Sequence, residues 1–202
     1  MGYSWTNIAA APVGDADGYL HSVNMKAAAY TLTHTTPTFG ARHVTCTRAV
    51  VGNIDTPAGL SLVVVGTDLA GSVITETLTV GAHTILVTGT QFFASLTSAR
   101  TAGWVVDAGT TTPDTLEIGF DAECAIATGS GVLHGIVINT TAAGIITVLD
   151  ANGSIAVLPA SVADGTFYEY DVNYSGYLRV EPAAASNITV MHSGSRPSTY
   201  SL

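Results

Sequence analysis

The side chains of this chain that could do chemistry are few and widely scattered. Its six histidines are His21, His34, His43, His83, His134 and His192, and its two cysteines are Cys46 and Cys124. His43-x-x-Cys46 is the one close pair, and with Cys124 and His134 it supplies four donors of the kind that hold zinc. Structural zinc sites normally come as two tight pairs. Alternation along a strand also puts residues 43 and 46 on opposite faces, so no metal is expected from this set. Asp15-Ala16-Asp17-Gly18 and Asp150-Ala151-Asn152-Gly153 open like calcium loops. A full loop needs a bidentate Glu at its twelfth position, where this chain has Lys26 and Ser161. Both are read as turns, with a weak two-carboxylate site at 15–17 as the alternative.

Gly129-x-Gly131-x-x-x-Gly135 has the look of a dinucleotide loop. Such a loop needs a helix behind it to hold the pyrophosphate, and "VLHGIVIN" reads as a strand. Glu169 and Asp171 stand two apart on one strand, and glycosidases do use carboxylate pairs. Spacing alone does not make such a pair, and solvated edge residues are the expectation. No G-x-S-x-G elbow occurs, and every serine lies in a turn or on a strand without a motif. The sequence therefore predicts no enzyme, no cofactor and no metal.

The aromatic concentration is "TFYEYDVNYSGYLRV", with Phe167, Tyr168, Tyr170, Tyr174 and Tyr177. These rings could form a stacking platform for a sugar or a partner protein. The expectation is that they build a small core and its subunit contacts instead. Trp5 and Tyr19 are the candidate anchors of the N-terminal stretch.

The elements that must position these residues are strands. Of 202 residues, 47% are hydrophobic, 10% charged and 7% aromatic. The charged share is far below the ~25% of an ordinary soluble domain. Six basic against fifteen acidic residues give a net charge of −9. Nucleic-acid binding needs a basic stripe and an anionic membrane needs one too, so neither partner is expected. No secretory signal is visible in "MGYSWTNIAA". That absence leads us to expect synthesis in the cytoplasm, and the cysteines read as small buried hydrophobes in a reducing compartment, with one long-range disulfide as the alternative.

Residues 135–158 carry a single charge. The apolar runs 135–139, 145–149 and 154–158 are too interrupted for a membrane helix and read as an antiparallel meander. Asn152-Gly153 suits a tight hairpin. Further strands are predicted in "YTLTHT", "RHVTCTRAV", "LSLVVVG", "SVITETLTV", "TILVTG", "FFASLTSA", "GWVVDA" and "TLEIGF". Alternation is clearest at 72–80, where Val73, Thr75, Thr77 and Thr79 share one face and Ile74, Glu76, Leu78 and Val80 the other. The expected fold is all-β, with two sandwich- or barrel-like modules. An irregular arm would span 1–26, a larger module 27–128 and a smaller one 129–202, with the seam near "ATGSGVLHG".

Two stretches resemble small structural proteins of tailed bacteriophages. "SLVVVGTDLAGSVITETLTVG" followed by "TGTQFFASLTSA" is similar to a hairpin-and-strand pattern common in that class. "GVLHGIVINTTAAGIITVLDANGSIAVL" with "GTFYEYDVNYSGYLRV" is similar to a second β module of the same class. The resemblance covers roughly half of the chain and carries no catalytic residue. It implies a virion protein, foremost a capsid decoration (cement) protein at the head surface that binds the major capsid protein, as a homo-oligomer expected to be a trimer. A tail-tube, fibre or baseplate component is the nearest alternative, and a carbohydrate-binding module the next.

Overall fold

The computed structural model describes residues 2–25, 29–49, 60–80, 84–101, 115–140, 142–184 and 186–194. Among them the fold is all-β, in antiparallel sheets with no closed barrel. The strands are β1 (Ser4–Ile8), β2 (Asp15–Asn24), β3 (Ala29–Tyr30), β4 (Ala41–Ala49) and β5 (Leu60–Thr67). They continue as β6 (Val73–Val80), β7 (Val87–Phe93), β8 (Ser95–Thr101), β9 (Thr115–Thr128) and β10 (Gly131–Thr140). The last five are β11 (Ile146–Asp150), β12 (Gly153–Leu158), β13 (Phe167–Tyr174), β14 (Tyr177–Pro182) and β15 (Asn187–Gly194). No helix among the described residues is long and apolar enough to cross a membrane.

The chain forms two compact units, residues 13–123 and residues 1–12 with 124–202, and their boundary falls inside β9. The sequence predicted modules at 27–128 and 129–202. In the 13–123 unit one sheet has the order β3-β8-β5-β6, while β4 lies between β9 and β7, and β2 pairs with β9. Its core takes Leu62 and Val64 from β5 and Leu78 and Val80 from β6. Val44, Phe93, Leu116 and Ile118 join them from the other strands. Each such aliphatic side chain withdrawn from water contributes about 1.5–3 kcal/mol. The alternation read at 72–80 holds: Leu78 and Val80 are buried, Ile74 and Glu76 are half-buried, and Val73, Thr75, Thr77 and Thr79 are exposed.

The unit of 1–12 and 124–202 is sandwich-like. One sheet has the order β1-β15-β10-β13; the other runs β12-β11-β14 to the end of β9. Their buried residues, among them Leu133, Ile136, Ile146, Val148, Val180 and Val190, form its interior. The hairpin expected at Asn152-Gly153 is present, with Asp150 opposite Gly153 and Gly153 at φ 127°.

Several expectations are corrected. The N-terminal stretch holds two strands: β1 pairs with β15 and β2 with β9. The β2 pattern was hard to read because its register with β9 shifts twice, which breaks a period of two. "YTLTHT" is not a strand beyond Tyr30, since the Thr33 and His34 amides both donate to Tyr19 O on β2. "FFASLTSA" divides at Ala94, whose amide turns to Thr67 O at 2.7 Å. The meander at 135–158 is a hairpin plus one strand of the other sheet, because β10 pairs with β13 and β15. The chain leaves β10 through Ala142, which is fixed by Val162 O and Ser161 N. "GWVVDA" and Lys26 lie outside the described residues.

Candidate functional site

The outer face of the β3-β8-β5-β6 sheet is built on β5 and β6 by one alternating sequence pattern. Directly opposed pairs share a face of a sheet, and here they are Ser61–Thr79, Val63–Thr77, Val65–Thr75 and Thr67–Val73. None is charged. On β8, Ser98 lies opposite Val65, and Arg100 opposite Val63 brings the first charge. Val73 is 74% exposed, and β6 is the edge strand of its sheet. Edge strands are usually protected by charge, bulges or cover. The acidic residue of β6, Glu76, points to the opposite face, where its carboxylate accepts hydrogen bonds from the amides of Thr90 and Gln91 on β7. The outer face thus keeps its hydroxyl and methyl surface free of that charge.

The aromatic strand divides. Tyr174 is buried, and its hydroxyl donates to Ser193 O at 3.2 Å. Tyr168 and Tyr170 are half-buried and stack on each other at 6.4 Å between ring centroids. Burial, with Tyr168 beside it, pushes the Tyr170 hydroxyl above its ordinary pKa. Tyr177 is half-buried, while Phe167 is exposed. The five rings present no continuous flat platform. Of the two anchors, Tyr19 is fully buried in the 13–123 core, edge-on to Phe120 at 5.4 Å. Trp5 is 60% exposed, on β1 opposite Met191 of β15.

Both cysteines are buried thiols, and burial pushes the Cys46 thiol up to about 12. Of the two expected turns, 150–153 is one, while 15–18 lies instead in strand β2. Asp150 Oδ1 accepts the Asn152 amide at 2.7 Å, and its Oδ2 accepts the Ser175 amide at 3.0 Å. Burial opposes ionisation of Asp150, but the Asn152 and Ser175 amides outweigh it and hold the carboxyl below its usual range. Asp17 pairs with His21.

The histidines are positioned by partners that spacing did not reveal. His43 on β4 directs Nδ1 to Asp121 Oδ2 at 3.0 Å and to Glu123 Oε2 at 3.6 Å, both on β9. Phe92 covers its ring at 4.0 Å between centroids, and the Glu123 amide donates to Asp121 Oδ1. These three donors lie within 4.8 Å of one another, as an ion-pair cluster or a cation site would require. Neither Cys46 nor Cys124 takes part. His134 on β10 lies between two partners, Asp171 Oδ1 at 2.7 Å from Nδ1 and Ser193 Oγ at 3.0 Å from Nε2. Glu169 and Asp171 are both exposed on the edge strand β13, as expected, and Asp171 also holds the histidine. His192 is buried, with Thr6 Oγ1 3.2 Å from Nε2. Comparison with protein-family models, with curated proteins and with solved structures returned no match.

Proposed function

We propose that the protein is an adhesive structural component of a tailed-phage particle, foremost a decoration protein that binds the major capsid protein at the head surface. The observation that carries this reading is the uncharged threonine–valine face of β5 and the edge strand β6. The resemblance of that same hairpin to phage structural proteins points the same way. Such a face meets a partner without stripping water from buried charges, whose desolvation is costly. Each Å² of apolar surface it covers adds ~25 cal/mol, less the cost of ordering. Repeated over a shell, modest contacts act by avidity. A homotrimer is the proposed form, because closed point-group symmetry is the rule for soluble oligomers and three copies suit a local threefold axis.

The test is direct. Purified protein added to expanded heads that lack it should bind to saturation and raise their disruption temperature. Protein that ignores such heads and polymerises into tubes, or binds host glycans, sinks the head-decoration reading in favour of a tail or receptor-binding role.

A further inference from the structure

We propose that Ser193, His134 and Asp171 form a nucleophilic triad that hydrolyses esters of short acyl groups. They lie on three neighbouring strands, β15, β10 and β13. One imidazole nitrogen faces the hydroxyl at 3.0 Å and the other faces the carboxylate at 2.7 Å. That connectivity lets a histidine take a proton from a serine while a carboxylate holds the ring's tautomer.

Irregularities in both flanking pairings set this geometry. Between Leu133 and Gly135, β10 shifts register against β13 and against β15. On the β15 side Leu133 faces His192 and Gly135 faces Met191, so His134 is the extra residue. On the β13 side Leu133 faces Val172 and Gly135 faces Glu169, so Tyr170 and Asp171 bulge opposite His134. Asp171 has a left-handed φ of 48°, which aspartate tolerates better than most residues. Bulges re-aim side chains and are frequent beside active sites. Tyr3 packs edge-on against the His134 ring at 4.8 Å between centroids. Ser193 is 5% exposed, yet it lines a depression of about 300 Å³ together with Gly131, Val132, Asn173, Tyr174 and Gly194. That volume is at the small end of ligand pockets. Ser130 completes the lining, whose accessible surface is mostly apolar. A short acyl group fits this description and a long one does not.

The steps balance. Ser193 Oγ adds to the ester carbonyl carbon as its proton passes to His134 Nε2. The Nδ1 proton stays directed at Asp171, whose charge stabilises the imidazolium. The bond to the leaving alcohol breaks, and that alcohol takes the proton from Nε2. Water then repeats the cycle on the acyl-serine and releases a carboxylic acid. Ser193 and His134 are the catalytic residues, and Asp171 is a positioning residue acting through His134. This activity is independent of the adhesion reading and fails separately from it.

The full-length protein should react with a fluorophosphonate probe, and peptide mapping should place the adduct on Ser193. It should also hydrolyse p-nitrophenyl acetate, with the rate falling to background in Ser193→Ala and His134→Gln. Asp171→Asn should lower kcat by about 100-fold or more while KM holds. Circular dichroism and a melting curve for each variant separate lost chemistry from lost fold. Ser193→Ala removes only one oxygen and is the variant least exposed to that confusion. No labelling of folded wild-type protein, labelling at another residue, or hydrolysis that survives Ser193→Ala overturns the assignment.

Discussion

The Glu76 carboxylate on β6 accepts hydrogen bonds from Thr90 at 2.6 Å to the amide and 2.9 Å to the hydroxyl, across to β7. Gly89 makes room for this contact, because a Cβ there would lie 2.4 Å from Glu76 Oε2. The acidic residue of the edge strand is therefore spent on tying β6 to β7 inside the 13–123 unit. Glu76→Ala should lower stability by about 1–2 kcal/mol, the scale of losing hydrogen bonds to a charged acceptor. A urea melt with unchanged slope and a lower midpoint is the expected result. A midpoint equal to wild type would show that the contact contributes nothing.

Threonine and valine, and not charge, define the outer face of the same hairpin. Thr77→Lys places a cation opposite Val63 on an exposed strand position, so it should leave stability within about 0.5 kcal/mol. If this face is the adhesive one, the same change should weaken binding to heads at least tenfold. Unaltered binding would move the contact to another surface.

Gly66 has a packing reason to be glycine. A Cβ there would meet Ser95 O at 1.9 Å, just where the pairing of β5 with β8 shifts register. Gly66→Ala must push the strands apart, at a cost of about 3 kcal/mol or more. Thermal unfolding should show a drop of several degrees, and an unchanged melt would mean that β8 relaxes without penalty.

His192 gives stability a dependence on pH. Burial, with His134 nearby, lowers its pKa below 6.5 in the folded chain. The unfolded chain therefore binds the proton first as pH falls, and stability is lost from about 6.5 downward to the folded pKa. His192→Asn should flatten that part of the stability profile. A profile as steep as wild type's would assign the dependence to another group.

Asp150 acts at lower pH. Its folded pKa lies below the ordinary aspartate value, so its contribution is present above about pH 4 and disappears as pH falls through the folded pKa. Asp150→Ala should cost about 1–3 kcal/mol at pH 7, because the Asn152 and Ser175 amides lose their acceptor. The difference from wild type should shrink in acid. A constant difference down to pH 2 would rule out ionisation as the source.

The all-β fold was legible because a period of two survives wherever strands pair without interruption, as at Val73–Val80. The hairpin at Asn152-Gly153 was legible because a tight turn demands a positive φ that few residue types supply. What escaped was everything that depends on an inserted residue. Two register shifts concealed β2, and the break at Ala94 looked like a continuous strand. His134, Asp171 and Ser193 carry no mutual spacing, since three strands distant in sequence and the bulges between them bring them together. Tyr174 falls on the same alternating face of β13 as Tyr168, Tyr170 and Val172 and is the buried one of that row.

The pairing of Ser4–Ile8 with the strand Asn187–Gly194 also governs the order in which this protein can be made. A ribosome adding roughly 5–20 residues per second needs about ten to forty seconds to pass from β1 to its partner. In that interval residues 13–123 emerge with their strand partners among themselves, so that unit can close first. The unit built from 1–12 and 124–202 cannot close its sheet until the final strand emerges. Until then β1 is an unsatisfied edge of five residues, short enough to make a poor template for a neighbouring nascent chain.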